Sequence, residues 1–195
     1  MTGAALNGWN WDNPVEMTYI KTGVFETTAN FNNEAFTFFA QADWGPTSYN
    51  YPYFEIVDPN FENASDGDSN LKFIGTAGSH KITVDIIHGV VALDLPTSLY
   101  MTGEALNGWN WDNPVAMTQL SPGVFTAKAT FKTDQTFGFF GQADWGPVSF
   151  NYPHFESVDP DFENGNDGDS NLRFKGAEGE YTITVNLLTK VVTLE

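Results

Sequence analysis

The chain is written twice. Residues 1–17 read MTGAALNGWNWDNPVEM and residues 101–117 read MTGEALNGWNWDNPVAM. Phe38–Glu55 (FFAQADWGPTSYNYPYFE) returns as Phe139–Glu156 (FFGQADWGPVSFNYPHFE), and DGDSNLKF at Asp66–Phe73 returns as DGDSNLRF at Asp167–Phe174. One single-residue gap near Asn33 aligns the halves throughout. A repeat of about one hundred residues is a duplicated domain rather than a solenoid unit. The expected domains are residues 1–96 and 97–195. The break falls at Leu95-Pro96-Thr97-Ser98, because Pro96 has no N–H to give a strand ladder. The short linker gives the two domains limited freedom. Met1 aligns inside the strand that opens the second copy at Leu99, so the first strand is expected to be cut short. Any signal or lipid anchor would then lie upstream of it.

No stretch carries a helical period. Runs rich in Val, Ile, Phe and Thr are bounded by Gly, Pro, Asn and Asp. The strands expected in the first copy are Glu16–Lys21, Val24–Asn30, Phe36–Gln41, Leu71–Ile74, His80–Ile86 and Val90–Asp94. His88-Gly89 makes a hairpin turn between the last two. Short strands at this density predict an all-β chain of two tandem, immunoglobulin-like β-sandwiches.

The six Trp residues all fall in the repeated motifs. Trp9 and Trp11 (Trp109 and Trp111) lie in a segment dense in turn formers, which predicts a surface loop. An indole presents a flat apolar face to the C–H face of a pyranose ring and an N–H to a hydroxyl. One Trp of each pair is expected to plug the sandwich and the other to face a ligand. Trp44 and Trp145 follow a strand in Asp-Trp-Gly-Pro, and Tyr49 and Phe150 come next. These aromatics either complete a cleft or pack under a loop. Gln41, Asp43 and Asn50, repeated as Gln142, Asp144 and Asn151, offer hydrogen-bonding groups beside them.

The order of these features resembles the C-terminal binding domains of the SusE and SusF outer-membrane starch-binding proteins of Bacteroidetes. It runs Thr-Gly, Asn-Gly-Trp, Pro-x-x-Met-Thr, Gly-Val-Phe, Phe-x-Phe-Phe and Asp-Trp-Gly-Pro, in both copies. The resemblance implies a non-catalytic polysaccharide-binding protein at the outer-membrane or extracellular surface, with starch or another α-glucan as ligand. A glycan-uptake complex is the implied partner. It assigns the stacking platform to Trp9 or Trp11 with Trp44, and to Trp109 or Trp111 with Trp145. The chain departs from the family pattern in the Phe-rich strand. There a Lys that donates to sugar hydroxyls is replaced by Thr37 and Gly138. Lys72 and Arg173, at matching positions, are candidates to take over.

Asp66, Asp68 and Asn70, repeated as Asp167, Asp169 and Asn171, alternate oxygen ligands like the start of a calcium loop. The EF-hand pattern is incomplete: no Gly stands at position six and position twelve is Ala77. These loops are either candidate Ca2+ sites or acidic solvated turns. The rival to a glycan binder is thus a calcium-stiffened structural or adhesin pair with buried Trp residues.

Charge and composition narrow the partners. The net charge is -17, from 25 acidic and 8 basic residues, which repels nucleic acid and anionic membranes. Only 17% of residues are charged, so the polar surface rests on Asn, Thr, Ser and Gln, which suits neutral polyols. There is no cysteine, which removes disulfides and thiol chemistry. No apolar run reaches membrane-spanning length and no signal peptide is visible. His80, His88 and His154 each lack a counterpart in the other copy. No carboxylate pair is recognisable at glycosidase spacing, so no enzyme is expected.

Overall fold

The computed structural model describes residues 1–195. It separates into two compact units, Met1–Leu95 and Pro96–Glu195. The first carries β1 (Thr2–Gly3), β2 (Thr18–Lys21), β3 (Val24–Phe31), β4 (Ala35–Phe39), β5 (Ser48–Tyr49), β6 (Ile56–Val57), β7 (Phe61–Asn63), β8 (Leu71–Phe73), β9 (Gly78–Asp85) and β10 (Val90–Leu93). The second carries β11 (Tyr100–Thr102), β12 (Val115–Ala116), β13 (Thr118–Ser121), β14 (Val124–Phe131), β15 (Gln135–Phe140), β16 (Ser149–Phe150), β17 (Ser157–Val158), β18 (Phe162–Asn164), β19 (Leu172–Phe174), β20 (Gly179–Asn186) and β21 (Val191–Leu194). No helix is long and apolar enough to cross a membrane.

Each unit is a sandwich of two sheets. In the first, one sheet runs β1-β4-β8-β7 with β5 on β4, and the other runs β2-β3-β9-β10-β6. The second unit repeats both: β12-β11-β15-β19-β18 with β16 on β15, and β13-β14-β20-β21-β17. All expected strands form. The sequence reading missed the short ones, among them β6 and β17, which pair in parallel with β10 and β21. Two residues hold too little pattern to be seen. Their register comes from a partner more than thirty residues away.

Period-two alternation sets the core. On β4, Phe36 and Phe38 are buried at 0% and 3%. Phe31, Phe36, Phe61 and Phe73 form a cluster with ring centroids 5.3–6.1 Å apart. Phe131, Phe137, Phe162 and Phe174 repeat it at 5.2–6.1 Å. Burying each such ring contributes roughly 1.5–3 kcal/mol. Gly3, at φ +154°, lets β1 lie on β4, because a Cβ there would stand 2.3 Å from Phe36 Cα. This same alternation turns Thr37 and Phe39 to the outer face of the sheet, where the candidate site is built.

Candidate functional site

The Trp9 loop is fixed by its own amides. The Thr2 hydroxyl lies 2.8 Å from the carbonyl oxygens of both Gly8 and Asn10. Asn10 Nδ2 donates to Asn7 O (3.0 Å) and Asn7 Nδ2 to Asn13 O (3.1 Å). Thr102, Asn110 and Asn107 repeat these bonds at 2.8–3.0 Å. The Trp44 loop is tied by Gln41, whose Nε2 donates to Asp43 O and Thr47 O, both at 3.1 Å. Asp43 Oδ1 accepts from the Trp44 N–H at 2.7 Å. Gln142 and Asp144 do the same around Trp145. Gln41 and Asp43, candidate sugar contacts in the sequence, therefore serve the loop.

Three indoles meet where these loops approach. Trp9 and Trp44 are 41% and 52% exposed, with centroids 6.5 Å apart and planes inclined by 37°. Trp11 is half-buried beneath them, edge-on to Phe39 (5.0 Å) and Trp44 (5.2 Å). Its Nε1 is buried without an acceptor. The second domain repeats the arrangement. Trp109 and Trp145 lie 6.2 Å apart at 40°, and Trp111 packs against Phe140 and Trp145 at 5.1 Å each. Exposed indoles at positions 9, 44 and 145 do not agree with a structural pair whose Trp residues are buried.

Each Trp pair forms one wall of a groove. The first groove, about 480 Å³, is lined by Trp9, Phe39 and Trp44 on one side, with Thr37, Ser48 and Asn50 on its floor. Asp66, Asp68 and Asn70 form its other wall. In the second domain Trp109, Phe140 and Trp145 face Asp167, Asp169 and Asn171, with Ser149 and Asn151 between, around about 530 Å³. Sequence reasoning had separated the Trp residues from the Asp-Gly-Asp-Ser-Asn loops; the fold puts them across one groove. The link is the register of β4 with β8, which sets Phe36 opposite Leu71 and so brings Thr37 to Asn70.

The acidic loops close on themselves. Asp66 Oδ1 accepts from the Asn70 N–H at 3.2 Å, and Asp66 Oδ2 from Asn70 Nδ2 at 2.8 Å. Asp167 and Asn171 match at 3.1 and 2.9 Å. Burial alone would raise the Asp66 and Asp167 carboxyls, but the hydrogen bonds from Asn70 and Asn171 outweigh it and hold both below the ordinary Asp value. Asn50 Nδ2 ties the loop to β5 through Asp68 O at 2.7 Å. Calcium wants six to eight oxygens. No three His, Cys, Asp or Glu side chains converge to hold a metal ion anywhere in the chain, and both Asp66 oxygens accept from Asn70.

Four further candidates lie off the groove. Tyr49 pairs with Phe38 and packs on the core side of β5, while its neighbour Ser48 faces the groove. Phe150 pairs with Phe139 and meets the His154 ring edge-on at 4.8 Å. Lys72 stands further along the sheet, with its ammonium on Glu62 at 2.8 Å. Arg173 donates to Gly165 O at 2.7 Å and faces Glu163 at 3.6 Å. No cationic side chain lines either groove, so neither Lys72 nor Arg173 replaces the family lysine. The sequence reading also passed over Phe39, Ser48, Phe140 and Ser149, because one residue of strand register decides which neighbour faces out.

Among curated protein sequences none matches this chain. In three dimensions it is similar to the crystal structure of SusF from Bacteroides thetaiotaomicron, with a TM-score of 0.53 and 17% sequence identity. The likeness covers 97% of this chain but 47% of that one, so the chain spans about half the length of the protein it resembles. At that identity the likeness shows the fold, two tandem β-sandwiches. Residues 98–194 match the family described as SusF/SusE starch specific CBMs, which is one whole copy of the duplication. The second domain is thus similar over its length to the SusF/SusE carbohydrate-binding modules, and the first domain is its near-repeat in sequence.

Proposed function

We propose that each groove binds a short stretch of a neutral α-glucan of the starch type, without catalysis. Sugar rings stack on Trp9 with Trp44, and on Trp109 with Trp145. The observation that carries this reading is the inclined indole pair lining one groove with oxygen acceptors, present in both domains, with both indoles exposed in the first and Trp145 in the second. Two platforms inclined by 37–40° rather than coplanar suit a curved glucan better than a flat one. The opposite wall accepts hydrogen bonds from hydroxyls and repels sulfate or uronate. The family match of the second domain supports a place on the bacterial cell surface, delivering polysaccharide to a glycan-uptake complex.

A single open stacking site is expected to hold an oligosaccharide with a Kd on the order of 0.1–1 mM. Calorimetry of the intact chain with maltoheptaose should show two sites. Trp44→Ala and Trp145→Ala should each remove one, at a cost of about 1–3 kcal/mol at that site. Cellohexaose should bind more weakly. Normal stoichiometry and affinity in both variants would place the platform elsewhere.

A further inference from the structure

The two grooves differ at one point of their floors. In the first domain the Thr37 hydroxyl donates to Asn70 Oδ1, and Asn70 Nδ2 donates to Asp66 Oδ2. Both ends of the Asn70 amide are therefore occupied within the protein. In the second domain the matching residue is Gly138. Asn171 Nδ2 still donates to Asp167 Oδ2, at 2.9 Å. Asn171 Oδ1 lies 3.1 Å from the place a Cβ on residue 138 would take, and Gly138 has no side chain to donate to it. Asn171 lines the groove.

An amide oxygen with no protein donor gains most when a ligand hydroxyl reaches it; one already bonded gains less. At Gly138 the Phe140 ring and Asn171 Oδ1 border the place a side chain would take, at 3.2 and 3.1 Å, and a hydroxyl reaches Asn171 from the groove that this residue lines. At the matching position of the first domain the Thr37 side chain stands on Asn70.

We infer that the residue at this position makes the grooves unequal. Gly138 opens Asn171 Oδ1 as an added acceptor for a sugar hydroxyl, whereas Thr37 closes Asn70 and leaves the first groove to bind mainly by stacking. This rests on the proposed glycan binding and adds a specificity-determining position to it. One neutral hydrogen bond of this kind corresponds to about a 3- to 10-fold difference in affinity.

The test uses the intact chain and maltoheptaose. Trp44→Ala leaves the second site to be read alone, and Trp145→Ala the first. The second site should bind about 3- to 10-fold more tightly. Gly138→Thr in the Trp44→Ala chain should lose that factor, and Thr37→Gly in the Trp145→Ala chain should gain it. A side chain at 138 must fit 3.1 Å from Asn171 Oδ1 and 3.2 Å from Phe140 Cε2, so Gly138→Thr needs a melting curve as a folding control. Thr37→Gly only removes atoms and keeps the test open if Gly138→Thr fails to fold. Equal affinities at the two sites, or swaps that change neither, would overturn the inference while leaving glycan binding in place. An unaltered chain that does not bind maltoheptaose would overturn both.

Discussion

The Phe quartets of the two domains and the histidine positions around them have diverged to different degrees. All four phenylalanines recur, and their ring separations agree to within about a tenth of an ångström. His80 and His154 do not recur; their counterparts are Tyr181 and Tyr53. His80 Nε2 lies 2.8 Å from Thr76 O, and the Tyr181 hydroxyl donates to Ala177 O at the same distance, so one loop tie is made by two different groups. The Tyr53 hydroxyl donates to Ile86 O, whereas His154 Nε2 is buried with no partner. A ring packed on several others is held by all of them. A polar tip with one partner can be exchanged once that partner finds another donor or is left without one.

If the domains act as equals on a long glucan, the largest effect should appear with polymer. One chain reaching both grooves makes the second contact intramolecular, and the intact protein should bind soluble starch roughly 10²–10⁴-fold more tightly than either single-site Trp variant. Affinity electrophoresis in starch gels measures this. Equal retardation of the intact chain and of Trp44→Ala or Trp145→Ala would break the comparison into one working copy and one idle one.

A smaller effect should separate the domains by pH. The Asp94 carboxylate, hydrogen-bonded at 2.6 Å, and the Thr76 carbonyl raise His80 above its ordinary value of 6.5. The stability it contributes is complete below pH 6.5 and is lost as pH rises through the raised value. Burial, with Lys190 nearby, lowers His154 below 6.5, so its contribution is present above pH 6.5 and is lost on acidification towards the lowered value. Over the same range the Met1 amine, lowered by burial to about 6, acts against His80 in the first domain, because its contribution is lost as pH falls from 8 towards 6. Scanning calorimetry of the intact chain and of two variants that each copy the other domain isolates the histidines. His80→Tyr should remove a gain on acidification from the first transition, and His154→Tyr should remove a loss from the second. Slopes unchanged in both variants would remove the histidines from the account.

The smallest effect is expected from calcium. One millimolar ion on a site with a Kd of about 10 mM adds only ~0.06 kcal/mol. Neither melting transition should move measurably between chelator and 1 mM calcium. A rise of several degrees would mean that Asp66 leaves its bonds to Asn70 to hold the ion together with Asp68.

The long strands were legible because Val24–Phe31 and Gly78–Asp85 carry enough residues for alternation and turn signals to agree. The Trp residues were legible because indoles in a turn-rich segment need a reason to be there. Both signals are local. The far wall of the groove was not, since Trp44 and Asp68 are brought together by the β4–β8 register rather than by neighbours in sequence. Tyr49 and Phe150 lie off the grooves for a related reason. Ser48 and Tyr49 differ by one place, and only the pairing of Tyr49 with Phe38 tells which faces the core. Lys72 and Arg173 sit on the outer face of the sheet, but Glu62 and Glu163 claim them.

The grooves lie open on the outer face of their sheets, with walls tied by Asn and Gln side chains before any ligand arrives. Such a seat needs no lid to move, so arrival is limited by encounter, with a rate constant on the order of 10⁶ M⁻¹s⁻¹. At a Kd of about 0.1–1 mM, departure then takes roughly 1–10 ms. Each groove would release its segment of glucan hundreds of times a second, without a step that waits for the protein to open.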